Sequence, residues 1–219
     1  MLTKTQIRDC LDIIGEMFPH AHCELIHSNP FELVIAVCLS AQCTDVLVNK
    51  VTMNLFKKYK TPQDYLNVPL EELQNDIRSI GLFRNKGRNI QNLCKMLLED
   101  FNGKVPETRE ELEKLPGVGR KTANVVMSVA FGKPAIAVDT HVERVSKRLA
   151  FCRQKDSVLE VEKTLMKKIP EKEWSITHHR LIFFGRYHCK AQNPQCEVCP
   201  LLDLCREGKK RMKGRASNA

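Results

Sequence analysis

Four cysteines stand between residues 189 and 205, spaced Cys189-x6-Cys196-x2-Cys199-x5-Cys205. Thiols bunched this closely in a chain without a secretory leader read as metal ligands, because packing and redox roles rarely need four together. The spacing leaves the metal open. Structural zinc favours two close pairs, and only one Cys-x2-Cys is present, which tilts the choice towards a [4Fe–4S] cluster without excluding zinc. Arg186, Lys190, Arg206 and Lys209 would offset a cluster's negative charge; their simpler reading is a solvated surface. The other six cysteines, Cys10, Cys23, Cys38, Cys43, Cys94 and Cys152, are scattered, mostly among apolar residues, and read as small buried hydrophobes.

A second chemical signal lies upstream, in Glu113–Ala130 (EKLPGVGRKTANVVMSVA). A helical run ends at Leu115, Pro116-Gly117-Val118-Gly119 reverses the chain, and an apolar helix starts near Arg120. Glycines at a helix start leave backbone N–H groups uncovered at its positive end, an arrangement that favours a phosphate. Lys121 stands in the first turn. A lysine is a nucleophile only when neutral; the helix end, Arg120 and an expected partial burial all favour the neutral amine. Such an amine can attack C1′ of a deoxyribose and displace the base. The resulting iminium acidifies C2′–H, so that the 3′ phosphate is eliminated. The simpler reading of Lys121 is a phosphate contact.

Lys133–Arg144 (KPAIAVDTHVER) offers a carboxylate to go with it. Pro134 cannot continue the preceding helix, AIAV is short and apolar and is expected to be extended, and Asp139-Thr140 caps a further helix. From Lys121 to Phe131 a helix advances about 15 Å, and an extended return from Lys133 to Asp139 covers about 20 Å. The chain can therefore bring Asp139 back beside Lys121. There it would help deprotonate the attacking group or stabilise positive charge on the sugar. A plain helix N-cap is the alternative.

Helix signals dominate the elements that must hold these residues. Ile7, Leu11, Ile14 and Phe18 recur at helical spacing. Asn29-Pro30 opens FELVIAVCLSA, apolar on nearly all sides and expected to be the most buried helix. Thr44 starts the next, Thr61-Pro62 a short one, and Pro69 opens PLEELQNDIRSI, closed by Gly81. Asn85–Phe101 reads as a longer amphipathic helix. Thr108 with Glu111 and Ser157 with Glu160 form capping boxes, and Glu173–Gly185 gives one more helix. About ten helices and no alternating strand are expected, an all-α fold. The basic tail 208–219 reads as disordered.

The chain has 219 residues and 35 Lys+Arg against 26 Asp+Glu, a formal charge of +9. That balance points to a polyanionic partner, nucleic acid before membrane. No stretch is long and apolar enough to span a bilayer, and Met1–Cys10 lacks a secretory core, so a reducing, cytoplasmic setting is expected.

LPGVGRKTA, VDTHV and the cysteine spacing, in this order, resemble endonuclease III, a family of helix–hairpin–helix DNA glycosylases of base excision repair. The resemblance runs from NPFELVIAVCLSAQ through IGLFRNKGRNI to Cys205. It implies two all-α lobes with a DNA-binding cleft between them. One is a continuous six-helix block of residues 22–132, with the helix–hairpin–helix at about 108–132. The other is discontinuous, residues 1–21 plus 133–219, with the cluster loop at 189–205. The resemblance makes Lys121 the Schiff-base lysine and Asp139 the catalytic aspartate. Cys189, Cys196, Cys199 and Cys205 become ligands of one structural [4Fe–4S] cluster. Gly117, Val118, Gly119 and Arg120 become DNA contacts. Gln42 matches a glutamine that enters the gap left by the extruded nucleotide, and Leu82 a residue wedged into the opposite strand. His141 matches a histidine near the active site. Read alone, Leu82 is an apolar contact after a glycine cap, Gln42 a helix-end polar residue and His141 a capping surface residue. His178 and His179 are assigned to packing or solvent, and Cys43 carries no role.

The function implied is a monomeric, bifunctional glycosylase and lyase. It removes damaged pyrimidines from double-stranded DNA and cuts 3′ to the abasic site by β-elimination. A monofunctional glycosylase of the same fold and a non-catalytic DNA-binding module are the rivals. Lys121 separates the first from the lyase, and the pairing of Lys121 with Asp139 argues against the second.

Overall fold

The computed structural model describes residues 1–216, all helix, turn or irregular chain with no strand among them. It divides into two compact units: Cys23–Lys133, and the discontinuous Met1–His22 with the chain from Pro134 onwards. α1 (Lys4–Met17) opens the discontinuous unit. The continuous unit holds α2 (Pro30–Ser40), α3 (Asp45–Lys58), α4 (Pro62–Asn67), α5 (Leu70–Asp76), α6 (Phe83–Asp100), the single turn α7 (Arg109–Leu112) and α8 (Arg120–Phe131). The chain then returns with α9 (Thr140–Arg148), α10 (Val158–Lys168), α11 (Trp174–Phe183) and α12 (Arg206–Ala216). A 3-10 turn at Glu171–Glu173 precedes α11, and a π-helical turn at Phe184–His188 follows it.

In the continuous unit α2 is the axis. Asn29 caps it through the Glu32 N–H, Pro30 fills the first position, and every residue from Leu33 to Leu39 is buried. A helix apolar all round must be covered on all sides, and α3, α6 and α8 pack against it. Thr44 and Thr61 cap α3 and α4 as expected. The next helix does not run to Gly81. α5 stops at Asp76, because Ile77 and Ile80 turn inward and are fully buried, while Lys58 holds Asp76 at 2.8 Å. α6 likewise starts earlier than Asn85. Its N-cap is Leu82, in the left-handed region and without a side-chain cap.

The core of the discontinuous unit joins both of its segments. Ile7, Leu11 and Ile14 of α1 meet Val142 and Val145 of α9, Leu181 of α11 and Leu201. Ala135–Val138 is buried along its whole length but forms no strand; it is irregular chain. Ser157 and Glu160 make the expected capping box, whereas at α7 the Thr108 hydroxyl accepts from the Glu111 N–H and donates to the Glu111 carboxylate (2.6 Å). The sequence reading also missed a capping box of Thr3 and Gln6 on α1.

The tail expectation needs correction, because α12 is helical from Arg206 to Ala216. Its Lys, Arg, Met and Ala residues are good helix formers, and Glu207 pairs with Arg211 one turn on, at 2.7 Å. The part of that expectation covering 217–219 lies outside the described residues.

Candidate active site

The hairpin is built from two differently used glycines. Gly117 takes φ +82°, which lets the chain reverse while Val118 N–H is donated to the Leu115 carbonyl (3.0 Å). Val118 itself is buried, so it shapes the turn and offers DNA no side chain. Gly119 is the N-cap of α8 and carries no side chain to cap the first turn. A Cβ added there would meet nothing within 4 Å, so the approach to the helix start is open. The positive end of a helix start is the kind of place that favours a phosphate. Arg120 is half-buried, 4.0 Å from Glu113.

Lys121 is exposed in the first turn of α8, which corrects the expected partial burial. Side chains of a first helical turn lean towards the N-terminus, where no earlier turn covers them. Cys23 feels the Lys121 charge, although burial dominates and pushes that thiol up.

Gln42 and Leu82 share an unusual backbone. Both are non-glycine residues in the left-handed region, at φ 56° and 60°, and both are exposed, Leu82 by 58%. Each such conformation costs about 1–2 kcal/mol and persists only where neighbours impose it. The two loops are adjacent: a Cβ on Gly81 would stand 3.9 Å from the Gln42 carbonyl oxygen.

Lys86 lies behind them, and sequence reasoning missed it. It is 7% exposed, and its Nζ donates to the carbonyls of Leu39 (2.9 Å) and Ala41 (2.6 Å) at the end of α2. Its backbone N–H donates to the Leu82 carbonyl (3.0 Å). Burial holds the ammonium below the ordinary lysine range, partly countered by Cys43 and Cys38. The available signal was a lysine on the apolar face of an amphipathic helix, three residues after Phe83 and four before Ile90.

Asp139 belongs to the discontinuous unit. It is half-buried and caps α9, Oδ1 accepting from the N–H groups of His141 (2.9 Å) and Val142 (2.8 Å). One of its oxygens is therefore occupied by the helix, as the simpler reading held. His141 is half-buried with Nδ1 3.1 Å from Arg144 Nη2; that bond makes Nδ1 the acceptor and puts the ring proton on Nε2. Burial pushes His141 below the usual histidine value against the pull of Asp139, and Arg144 adds to the lowering. His178 is buried and His179 half-buried, as packing residues are.

All four clustered cysteines line one recess, walled also by Leu149, Phe184 and Leu202. Among the described residues no three His, Cys, Asp or Glu side chains converge as ligands of a single ion. Four thiols ringing a volume suit a cluster, in which each thiolate takes its own iron. Burial pushes the protonated Cys199 up to about 11, a proton that ligation to iron displaces. Gly208 N–H donates to Cys205 Sγ (3.2 Å), and Arg148 Nη1 lies 3.5 Å from Cys189 Sγ. Arg148 also binds the carbonyls of Lys190 and Ala191, and Arg144 those of Cys189 and Gly185. Basic support thus also comes from α9, which sequence reasoning had not included.

Residues 35–171 match the model of the HhH-GPD superfamily base excision DNA repair proteins. Residues 189–205 match the iron–sulfur binding domain of endonuclease III. The chain is 75% identical over 213 residues to endonuclease III of Bacillus subtilis, covering 97% of each protein. It is 50% identical over 204 residues to that of Haemophilus influenzae, covering 93% of this chain and 96% of the other. A solved structure of a trapped endonuclease III–DNA covalent intermediate, 78% identical, superposes with a TM-score of 0.96 over 97% of this chain and all of that one. The chain belongs to the endonuclease III family. The helical fold with its hairpin and iron–sulfur loop, read from sequence, is what that family has.

Proposed function

We propose that this chain is a base excision repair enzyme, a DNA glycosylase and abasic-site lyase, acting on duplex DNA with damaged pyrimidines. The observation that carries the reading is Lys121, exposed in the first turn of α8, whose start has no side-chain cap. The 78% identical endonuclease III was caught as a covalent intermediate with DNA. Such an intermediate requires a nucleophile, and Lys121 is the exposed amine on the helix start that we read as the phosphate contact.

The hairpin amides grip the backbone, and a damaged pyrimidine is turned out of the stack while Gln42 and Leu82 fill its place. Lys121 Nζ bonds to C1′ as the glycosidic C–N bond breaks, and the base leaves with the proton the amine loses. Breaking C1′–O4′, with the remaining N–H proton passing to O4′, opens the sugar to an imine. The imine acidifies C2′–H; as that proton leaves, the 3′ C–O bond breaks and the expelled phosphate is the 5′ phosphate of the downstream fragment. Hydrolysis of the imine frees an unsaturated aldehyde on the other fragment and returns Lys121. The other oxygen of Asp139 takes the proton that the attacking amine loses and passes it to the departing base, or balances positive charge on the sugar. His141 steadies that carboxylate through its N–H.

Cys189, Cys196, Cys199 and Cys205 hold the [4Fe–4S] cluster, which when bound supplies cross-linking of the loop. Base release needs no electron from it. No helix among the described residues is long and apolar enough to cross a membrane, and the working place inferred is the cytoplasm, where the thiols stay reduced.

Lys121→Gln is expected to abolish strand cleavage and the adduct that borohydride traps on an abasic duplex. Retained cleavage, or trapping at the parental level, would reject Lys121 as the nucleophile.

A further inference from the structure

A helix C-terminus that must present a long side chain has a difficulty. The position just after the helix favours glycine, whose left-handed backbone lets neighbouring amides satisfy the last carbonyls. Glycine has no side chain to insert into DNA. At the end of α2 this position is Gln42, at φ 56°. The carbonyls of Leu39 and Ala41 are satisfied from outside, by the ammonium of Lys86, which also sits favourably at the negative end of the α2 dipole. The same residue's backbone N–H takes the carbonyl of Leu82, the second left-handed residue. One lysine therefore ties together the two loops whose exposed side chains point out of the unit.

We propose that Lys86 is a positioning residue for nucleotide extrusion: it locks the end of α2 and the start of α6 together, so that Gln42 and Leu82 enter the stack as one two-pronged wedge. The proposal rests on the reading of Gln42 and Leu82 as the inserted pair. A base stack pushes back on whatever enters it, and a prong on a strained backbone yields unless that backbone is braced. Without the ammonium, the two carbonyls turn to water, Gln42 is free to leave the left-handed region, and the prongs lose their common footing.

The test uses duplexes with dihydrouracil opposite 2-aminopurine, whose fluorescence rises when it is unstacked. Base release under single turnover is measured alongside. Lys86→Met keeps the stem and removes the charge; it is expected to slow both signals roughly tenfold to a hundredfold, the scale of a small misplacement. Lys86→Arg, which keeps charge and donors, is expected to restore most of the rate. In the background of Gln42→Ala with Leu82→Ala, adding Lys86→Met is expected to change nothing further, because its effect passes through those prongs.

Parental extrusion in Lys86→Met overturns the proposal. So does an equal loss in the Arg and Met variants with folding intact, or a further slowing of the prong-less protein by the same factor. If Gln42→Ala with Leu82→Ala itself extrudes at the parental rate, the inserted-pair reading falls first, a result distinct from the others. Should Lys86→Met fail to fold, Lys86→Gln, which loses the charge and the reach, takes its place with the same outcomes.

Discussion

Gly117 sits at φ +82°, and a Cβ on it would come within 3.2 Å of the Asn89 Cβ; Gly119 sits at φ −97° with open space around it. The same substitution should therefore act on different properties at the two sites. Gly117→Ala is expected to cost about 1–2 kcal/mol of stability through backbone strain. Gly119→Ala is expected to cost below about 1 kcal/mol, since it only weakens an N-cap. Its methyl group would, however, occupy the open space of the proposed phosphate contact, so affinity for an abasic-site analogue should fall several-fold. Thermal unfolding and fluorescence anisotropy on both variants separate the two. The turn made by the glycines, the first-turn place of Lys121 and the gathering of the four cysteines were legible because they rest on local spacing. Lys86 was not, because what it does depends on carbonyls 45 and 47 residues away in the chain.

Among the elements, most helix starts with a side-chain cap were legible, at Asn29, Thr44, Thr61 and Ser157, although the Thr3 cap of α1 was not. Starts and stops set by tertiary packing were not. α6 begins at a left-handed leucine with no cap, and α5 ends because two isoleucines turn inward. The π-helical turn after α11 also went unseen. It ends with Cys189 N–H on the Phe184 carbonyl (2.7 Å), delivering the first thiol to the recess. From there the loop has little regular structure of its own, so its order is expected to depend on the bound cluster. Cys199→Ser is expected to bleach the broad visible absorption of the cluster and make residues 189–205 sensitive to limited proteolysis. A Ser variant that keeps the colour and resists protease would show that this thiol is dispensable.

At the scale of the whole molecule, the +9 charge and the helical architecture followed from composition and periodicity. The pH response did not, because it depends on burial. His179 packs against His178, with ring centroids 4.0 Å apart, and its Nδ1–H donates to the Ser175 carbonyl. Burial, reinforced by the charge of His22, pushes it down to about 4. Between that value and the ordinary histidine value near 6.5, the unfolded chain takes up a proton that the folded chain refuses. Stability is thus expected to fall as pH drops from about 6.5 to about 4, by on the order of 1–3 kcal/mol. Denaturant unfolding at pH 7 and pH 5 reads it, and His179→Gln should flatten the slope.

α1 has a further consequence, one of timing. Its apolar stripe of Ile7, Leu11 and Ile14 is completed by residues as far along as Leu201 and Cys205, and Arg8 pairs with Glu173. A ribosome adding roughly 5–20 residues per second needs on the order of 10–40 s to make the chain between them. The continuous unit is finished long before that. Throughout the interval the first helix made is the last to find its place, an unshielded greasy strip on a nascent chain that is otherwise half folded.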